Sequence, residues 1–167
     1  MSLNLKITGR QESQTDWESF FCNVNGSLSS IFVDLELAKS APKKDLPKLA
    51  WLWIRLNDPR DDGLSRDEEF EALCRYEDDL AALMNERGVG CYVGRITTGG
   101  RREFYFYIHA EVDFREIVEP VLEKHQDYLF QSGEKLDSSW SHYFDLLYPG
   151  ENGMDQIVKR REKNNDV

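Results

Sequence analysis

The chain has 167 residues, 40% of them hydrophobic and 12% aromatic, with only five prolines, which fits a single compact domain able to bury a core. Its formal charge is −10, from 21 basic and 31 acidic residues, and this disfavours nonspecific binding to phosphate backbones. The longest apolar run, Leu49 to Ile54, falls far short of the roughly 18 residues that a membrane-spanning helix needs. Met1 to Arg10 shows no apolar block after its charges, so no secretory signal is read there and the expected compartment is the cytoplasm.

Trp17 to Val24 and Ser29 to Leu37 are strand-like, and the Asn25-Gly26 pair between them favours the positive φ of a hairpin turn. Ala38 to Lys48 reads as a loop, because Pro42 and Pro47 each bias the preceding residue away from helix. Leu49 to Leu56 is apolar at nearly every position, as expected for a strand covered on both faces and central in its sheet. After a loop through Gly63, Ser65 and Glu68 have the spacing of a capping box. The helix they open places Phe70, Leu73, Tyr76 or Glu77, Leu80 and Met84 on one face and ends at Gly88.

Two strands follow, Val89 to Thr97 and Arg101 to Ala110, joined by a tight Thr98-Gly99-Gly100 turn. In the second, Phe104, Phe106 and Ile108 share one face while Tyr105, Tyr107 and His109 share the other. Phe114, Ile117, Val118, Val121 and Leu122 form a second helical stripe, interrupted by Pro120. A strand is read over Asp127 to Ser132, and a short docking helix within Asp137 to Gly150 that carries Trp140, Tyr143, Phe144 and Leu147.

From Leu49 onward the order is strand, helix, strand, strand, helix, strand. That order predicts an α+β fold with a ferredoxin-like βαββαβ core, an antiparallel sheet with two helices on one face. To it are added an N-terminal β-hairpin and a short C-terminal helix. Residues 1–150 are read as one α+β domain, and 151–167 as a charged tail that is frayed or disordered. The opposite face of the sheet needs a cover, from the N-terminal hairpin, the C-terminal aromatic segment or a second subunit.

Chemistry is sparse. Cys22, Cys74 and Cys91 contain no Cys-x-x-Cys pair, and His109, His125 and His142 do not flank them at zinc-site spacing. The loop from Asp58 to Glu69 fails as a calcium loop because Arg60 and Arg66 occupy positions that need oxygen ligands. Neither a phosphate-binding loop nor a nucleophile elbow occurs, and Gly88-Val89-Gly90 precedes a strand where a dinucleotide motif opens a helix. No catalytic set, metal site or cofactor is therefore read.

Charge, however, is unevenly placed. Asp58 to Glu86 holds eleven acids against three arginines, whereas the hairpin from Val89 to Ala110 holds Arg95, Arg101 and Arg102 against Glu103. The acidic helix makes a basic partner more plausible than an acidic one. The three arginines, with Tyr105, Tyr107, His109, Trp140 and Tyr143, are the candidate binding residues. Trp51, Trp53, Tyr105, Tyr107 and Trp140 could close a core, line a pocket or form a patch.

Several short motifs occur together: Trp17, Ser30 to Asp34, Ala41-Pro42, Asn57-Asp58-Pro59 with Gly63-Leu64, and Tyr76-Glu77-Asp78. Gly94-Arg95-Ile96-Thr97 with Gly100-Arg101-Arg102, Tyr105 to Tyr107, and Trp140-Ser141-His142-Tyr143 with Leu147-Tyr148-Pro149 complete the set. In this order they resemble the bacterial family known as domain of unknown function 695, over roughly Trp17 to Gly150. The resemblance supplies no activity, cofactor or catalytic residue. Some relatives carry a module similar to the B-type regulator of ribonuclease E activity, which implies a non-catalytic, protein-binding role.

The expectation is thus a cytoplasmic, non-enzymatic module that binds protein, itself or another, through its sheet face or its acidic helix; a homodimer is one form of this. Membrane is not an expected partner, and nucleic acid is disfavoured. The alternative is a small hydrolase or nucleotide-handling enzyme, which requires Arg95, Arg101 and His109 to converge in a concave site. A ligand sensor would instead need an enclosed apolar pocket.

Overall fold

In the computed structural model, which describes residues 14–166, Asn25 and Gly26 adopt φ of 52° and 82°. They join strand β1 (Trp17–Val24) to β2 (Ser27–Asp34) in a tight hairpin. The N-terminal segment read for a secretory signal lies outside the described residues. β2 stops at Asp34, earlier than the expected Leu37, because the Asp34 carboxylate accepts from the Glu36 amide and caps a short 3-10 turn over Leu35–Lys39.

β3 (Lys48–Arg55) is followed by helix α1 (Phe70–Arg87), which ends at Gly88 in the left-handed conformation. The expected capping box does not form. Residues Asp67–Glu69 make a 3-10 turn without a side-chain cap; Ser65 Oγ is instead 3.4 Å from an Arg102 guanidinium nitrogen. Glu69 turns inward to accept from the Asn57 amide at 2.6 Å and the Tyr128 hydroxyl at 3.3 Å. Phe70, expected in the core, is 62% exposed. α1 still buries Leu73, Tyr76, Leu80, Leu83 and Met84.

β4 (Gly90–Thr98) and β5 (Arg101–Ile108) form the second hairpin, and α2 (Phe114–Lys124) opens on an Asp113 cap and keeps Pro120 on its exposed side. β6 (Phe130–Leu136) starts later than expected. The six strands of the described residues join one antiparallel sheet in the order β1-β2-β4-β5-β3-β6. The N-terminal hairpin is therefore not an appendage to a four-stranded sheet; it extends that sheet past β4. The architecture is mixed α+β.

The alternation of β5 divides the interior into two layers. Phe104, Phe106 and Ile108 meet α1 and α2 on one face, with Leu52, Tyr76, Phe114 and Val118. Tyr105 and Tyr107 meet the other cluster, with Ile31, Leu49, Trp140, Tyr143, Leu147 and Ile157. The cover of this second face is the C-terminal segment. After Trp140, at φ 56°, the chain winds into a π-turn over Tyr143–Leu147 that buries Tyr143 and Leu147, while Phe144 faces outward.

Residues expected as a charged tail form helix α3 (Glu151–Asn165), which lies along β1. Ile157 is fully buried, and Gly153 meets the Phe20 ring at a spacing that excludes a side chain. The polar residues are used on the sheet edge. Gln156 accepts from the Phe21 amide at 2.9 Å and donates to its carbonyl at 2.8 Å, Arg160 donates to the Ser19 carbonyl, and Arg161 bridges Asp16 and Glu18. α3 thereby closes the outer edge of β1. Among the described residues no helix is long and apolar enough to cross a membrane.

Candidate functional site

Trp53 lies outside the cluster that the C-terminal segment covers. It sits on the same sheet face, directly across from Glu103 in the β3–β5 ladder, with Trp51 across from Tyr105 and Arg55 across from Arg101. Directly paired residues project to one face, so this corner of the sheet presents Arg55, Trp53, Arg101, Glu103 and Tyr105 together. The Arg101 guanidinium carbon is 4.5 Å from the Trp53 ring centroid, and Arg101 pairs with Glu103 at 3.0 Å.

Two clefts flank the Arg101–Trp53 pair, which lines both. One, of about 350 Å³, reaches toward Asn25, Ile96, Glu103, Tyr105 and Leu146. The other, of about 410 Å³, runs past Arg55 and the Gly99-Gly100 turn to Phe130 and Gln131 on β6. The two glycines hold φ of 56° and 79°, which brings bare backbone to the rim.

Electrostatics at the corner are shaped by burial. The Glu103 side chain is only 6% exposed, and desolvation pushes its carboxyl above the usual range against the opposing pull of Arg101 and the Tyr105 hydroxyl. Burial and the neighbouring Glu103 also raise the Tyr105 phenol. The Trp53 indole N–H is close enough to act on that phenol, yet it is buried with no acceptor in hydrogen-bonding geometry among the described residues. The His142 ring lies 4.2 Å from the Tyr105 ring. Its Nε2 is buried without a partner among the described residues, and burial, aided by Lys135, pulls its pKa down to about 4.

The Arg55 side chain has no acid partner among the described residues, in contrast to Arg101 beside it. Two like charges directly opposite on one face repel, and only one of them is neutralised. The arrangement can hold a carboxylate: a guanidinium fork from Arg55 and a second guanidinium from Arg101, stacked on the Trp53 ring.

Of the eight candidate residues, the structure brings only Arg101 and Tyr105 into this corner. Arg95 projects to the helix-covered face, where its Nε donates to Glu77 at 2.6 Å and its guanidinium stacks 4.6 Å from the Phe32 centroid. Arg102 is buried on that same face; it donates to Thr97 at 2.9 Å, and desolvation lowers its pKa to about 10. Tyr107, Trp140 and Tyr143 close the second layer. Tyr107 and Trp140 stack at 4.0 Å, the Trp140 indole donates to the Leu46 carbonyl at 2.9 Å, and the Tyr143 hydroxyl donates to the Asp34 carbonyl at 2.7 Å.

His109 follows the far end of β5, roughly 25 Å along the strand from Arg101. Arg95, Arg101 and His109 therefore do not converge. Arg55, Glu103 and His142 were missed as site residues. Only the β3–β5 register, which joins residues 46 apart, places Arg55 beside Arg101. All three cysteines are free, and no group of His, Cys, Asp or Glu among the described residues could hold a metal ion.

The chain belongs to the family of unknown function DUF695, which matches residues 15–148. The match covers every strand of the sheet and the turn that carries Trp140 and His142, and it stops before α3. Neither the curated proteins nor the solved structures contain a match.

Proposed function

We propose that this chain is a binding module rather than a catalyst, and that it holds a carboxylate-rich segment of a protein partner in the cleft between Arg55 and Trp53. The observation that carries this reading is the cross-strand pair Arg55 and Arg101, of which only Arg101 has an acid partner. The Trp53 ring, stacked under the Arg101 guanidinium, gives the cleft a rigid wall and supports it. So does the segregation of charge: the acids of α1 lie against the opposite face of the sheet, while Lys135 stands near His142 on this one.

Against catalysis stands the commitment of each titratable group here. Glu103 is held by Arg101 and Tyr105 with its side chain only 6% exposed, and the His142 Nε2 is buried, so neither presents a free proton-transfer atom to the cleft. A ferredoxin-like reading of the core is supported by the order β4-β5-β3-β6 with α1 and α2 against one face.

Fluorescence anisotropy with labelled peptides tests the proposal. At about 0.15 M salt, where repulsion from distant acids is screened within roughly 8 Å, a glutamate-rich peptide binds saturably and a lysine-rich peptide of equal length does not. Arg55→Ala weakens binding about tenfold, the loss of one charge-assisted contact. Equal binding of both peptides, or an Arg55→Ala affinity equal to wild type, refutes it.

A further inference from the structure

The two edges of the sheet are treated differently. α3 caps the backbone of β1 through Gln156 and Arg160, whereas nothing comparable lies along β6 among the described residues. The Arg55 amide donates to the Leu129 carbonyl and the Asp137 amide to the Pro47 carbonyl, so the odd-numbered residues of β6 face β3. Alternate residues of an antiparallel strand turn their backbone groups to opposite sides. Phe130, Ser132, Glu134 and Leu136 therefore point N–H and C=O away from the sheet, and no partner for these groups exists among the described residues. An unprotected edge of this kind is a template for another strand.

We infer that a second copy of this chain occupies the edge, β6 pairing antiparallel with its counterpart about a twofold axis at Gly133. In that register Phe130 lies opposite Leu136 of the second copy, Ser132 opposite Glu134, and Gln131 opposite Lys135. The sequence Phe-Gln-Ser-Gly-Glu-Lys-Leu is self-complementary in this alignment alone. A shift of two residues sets Phe130 against Glu134, or Glu134 against itself, and like charges directly opposite repel.

The apolar ends of β6 are otherwise unexplained. Phe130 is 39% exposed and Leu136 is 72% exposed, and pairing covers each with the other twice, as an isologous interface requires. The Arg115 guanidinium, 5.0 Å from the Phe130 centroid, closes over the contact from α2. Gly133 sits at the axis because the Trp51 ring crosses its face, so the two strands meet there without side chains between them. The edge strand is seven residues long, so dissociation on the order of micromolar is expected.

Sedimentation equilibrium over a concentration series, with hydrogen exchange on the same samples, tests this. Wild type is expected to move from one chain to two across the micromolar range, with the Ser132 and Glu134 amides gaining protection as the dimer forms. Leu136→Asp changes a side chain already in solvent, so the fold is kept, and it weakens the dimer by about tenfold or more. Ser132→Pro removes one outward N–H and abolishes the dimer. A wild type that stays monomeric at ~1 mM, or a dimer that neither variant weakens, overturns the inference.

Discussion

His142 gives the structure a measurable dependence on pH. Its ring is held against Tyr105 at 4.2 Å, with Lys135 disfavouring and Asp137 favouring its protonation, and burial takes its pKa from an ordinary 6.5 to about 4. The unfolded chain binds this proton near pH 6.5 and the folded chain only near pH 4, so stability is lost as the pH falls between those values and is fully present above them. At roughly 1.4 kcal/mol for each pH unit, the loss attributable to this residue reaches about 3 kcal/mol at pH 4. Urea unfolding at pH 7 and pH 4 measures it, with His142→Gln as the reference that cannot titrate. The difference in unfolding free energy between pH 7 and pH 4 should be about 3 kcal/mol smaller in the variant than in wild type. Glu103, Asp79 and Asp137 also titrate, but they are common to both proteins. Equal pH dependence in the two, or an NMR titration of His142 centred near 6.5, would refute the sealed site.

Three further substitutions test other parts of the account. Trp140→Ala removes a fully buried indole and strands the Leu46 carbonyl that it caps, so denaturant unfolding should show a loss of about 4 kcal/mol; a loss below about 1 kcal/mol would mean that the C-terminal segment is not the cover of the second layer. Glu77→Gln leaves Arg95, only 16% exposed, without its anion and should cost about 2 kcal/mol. A double-mutant cycle with Arg95→Met should return a coupling above about 0.5 kcal/mol. Gly133→Ala drives a methyl group into the Trp51 ring and should cost about 1–3 kcal/mol with a change in tryptophan fluorescence; an unchanged protein would show that the ring does not cross the strand there.

Much of the fold could be read from local pattern. The turns at Asn25-Gly26 and Gly99-Gly100, the alternation of β5 and the apolar stripe of α2 depend on neighbours within a few residues. What escaped depends on distant partners. Ser65 is drawn toward Arg102 rather than capping α1, a competition invisible without the β5 position. The α3 segment reads as polar because Gln156, Arg160 and Arg161 dock it through hydrogen bonds to β1, with Ile157 rather than a full apolar stripe buried beneath it. The candidate site was harder still. The arginines of the hairpin look like one patch in sequence, but strand alternation sends Arg95 and Arg102 to the helix side and Arg101 to the other. The true neighbour of Arg101, Arg55, is visible only once β3 is laid against β5.

The carboxylate cleft is tested most directly at the Trp53 indole N–H. A ¹H–¹⁵N NMR titration of the protein with a glutamate-rich peptide should move that resonance saturably, because the Arg101 guanidinium stacked on the same ring then engages the peptide, and Arg55→Ala should remove most of the shift at the same peptide concentration. A Trp53 signal that stays in place while the peptide binds, or that moves equally in wild type and Arg55→Ala, would contradict the account.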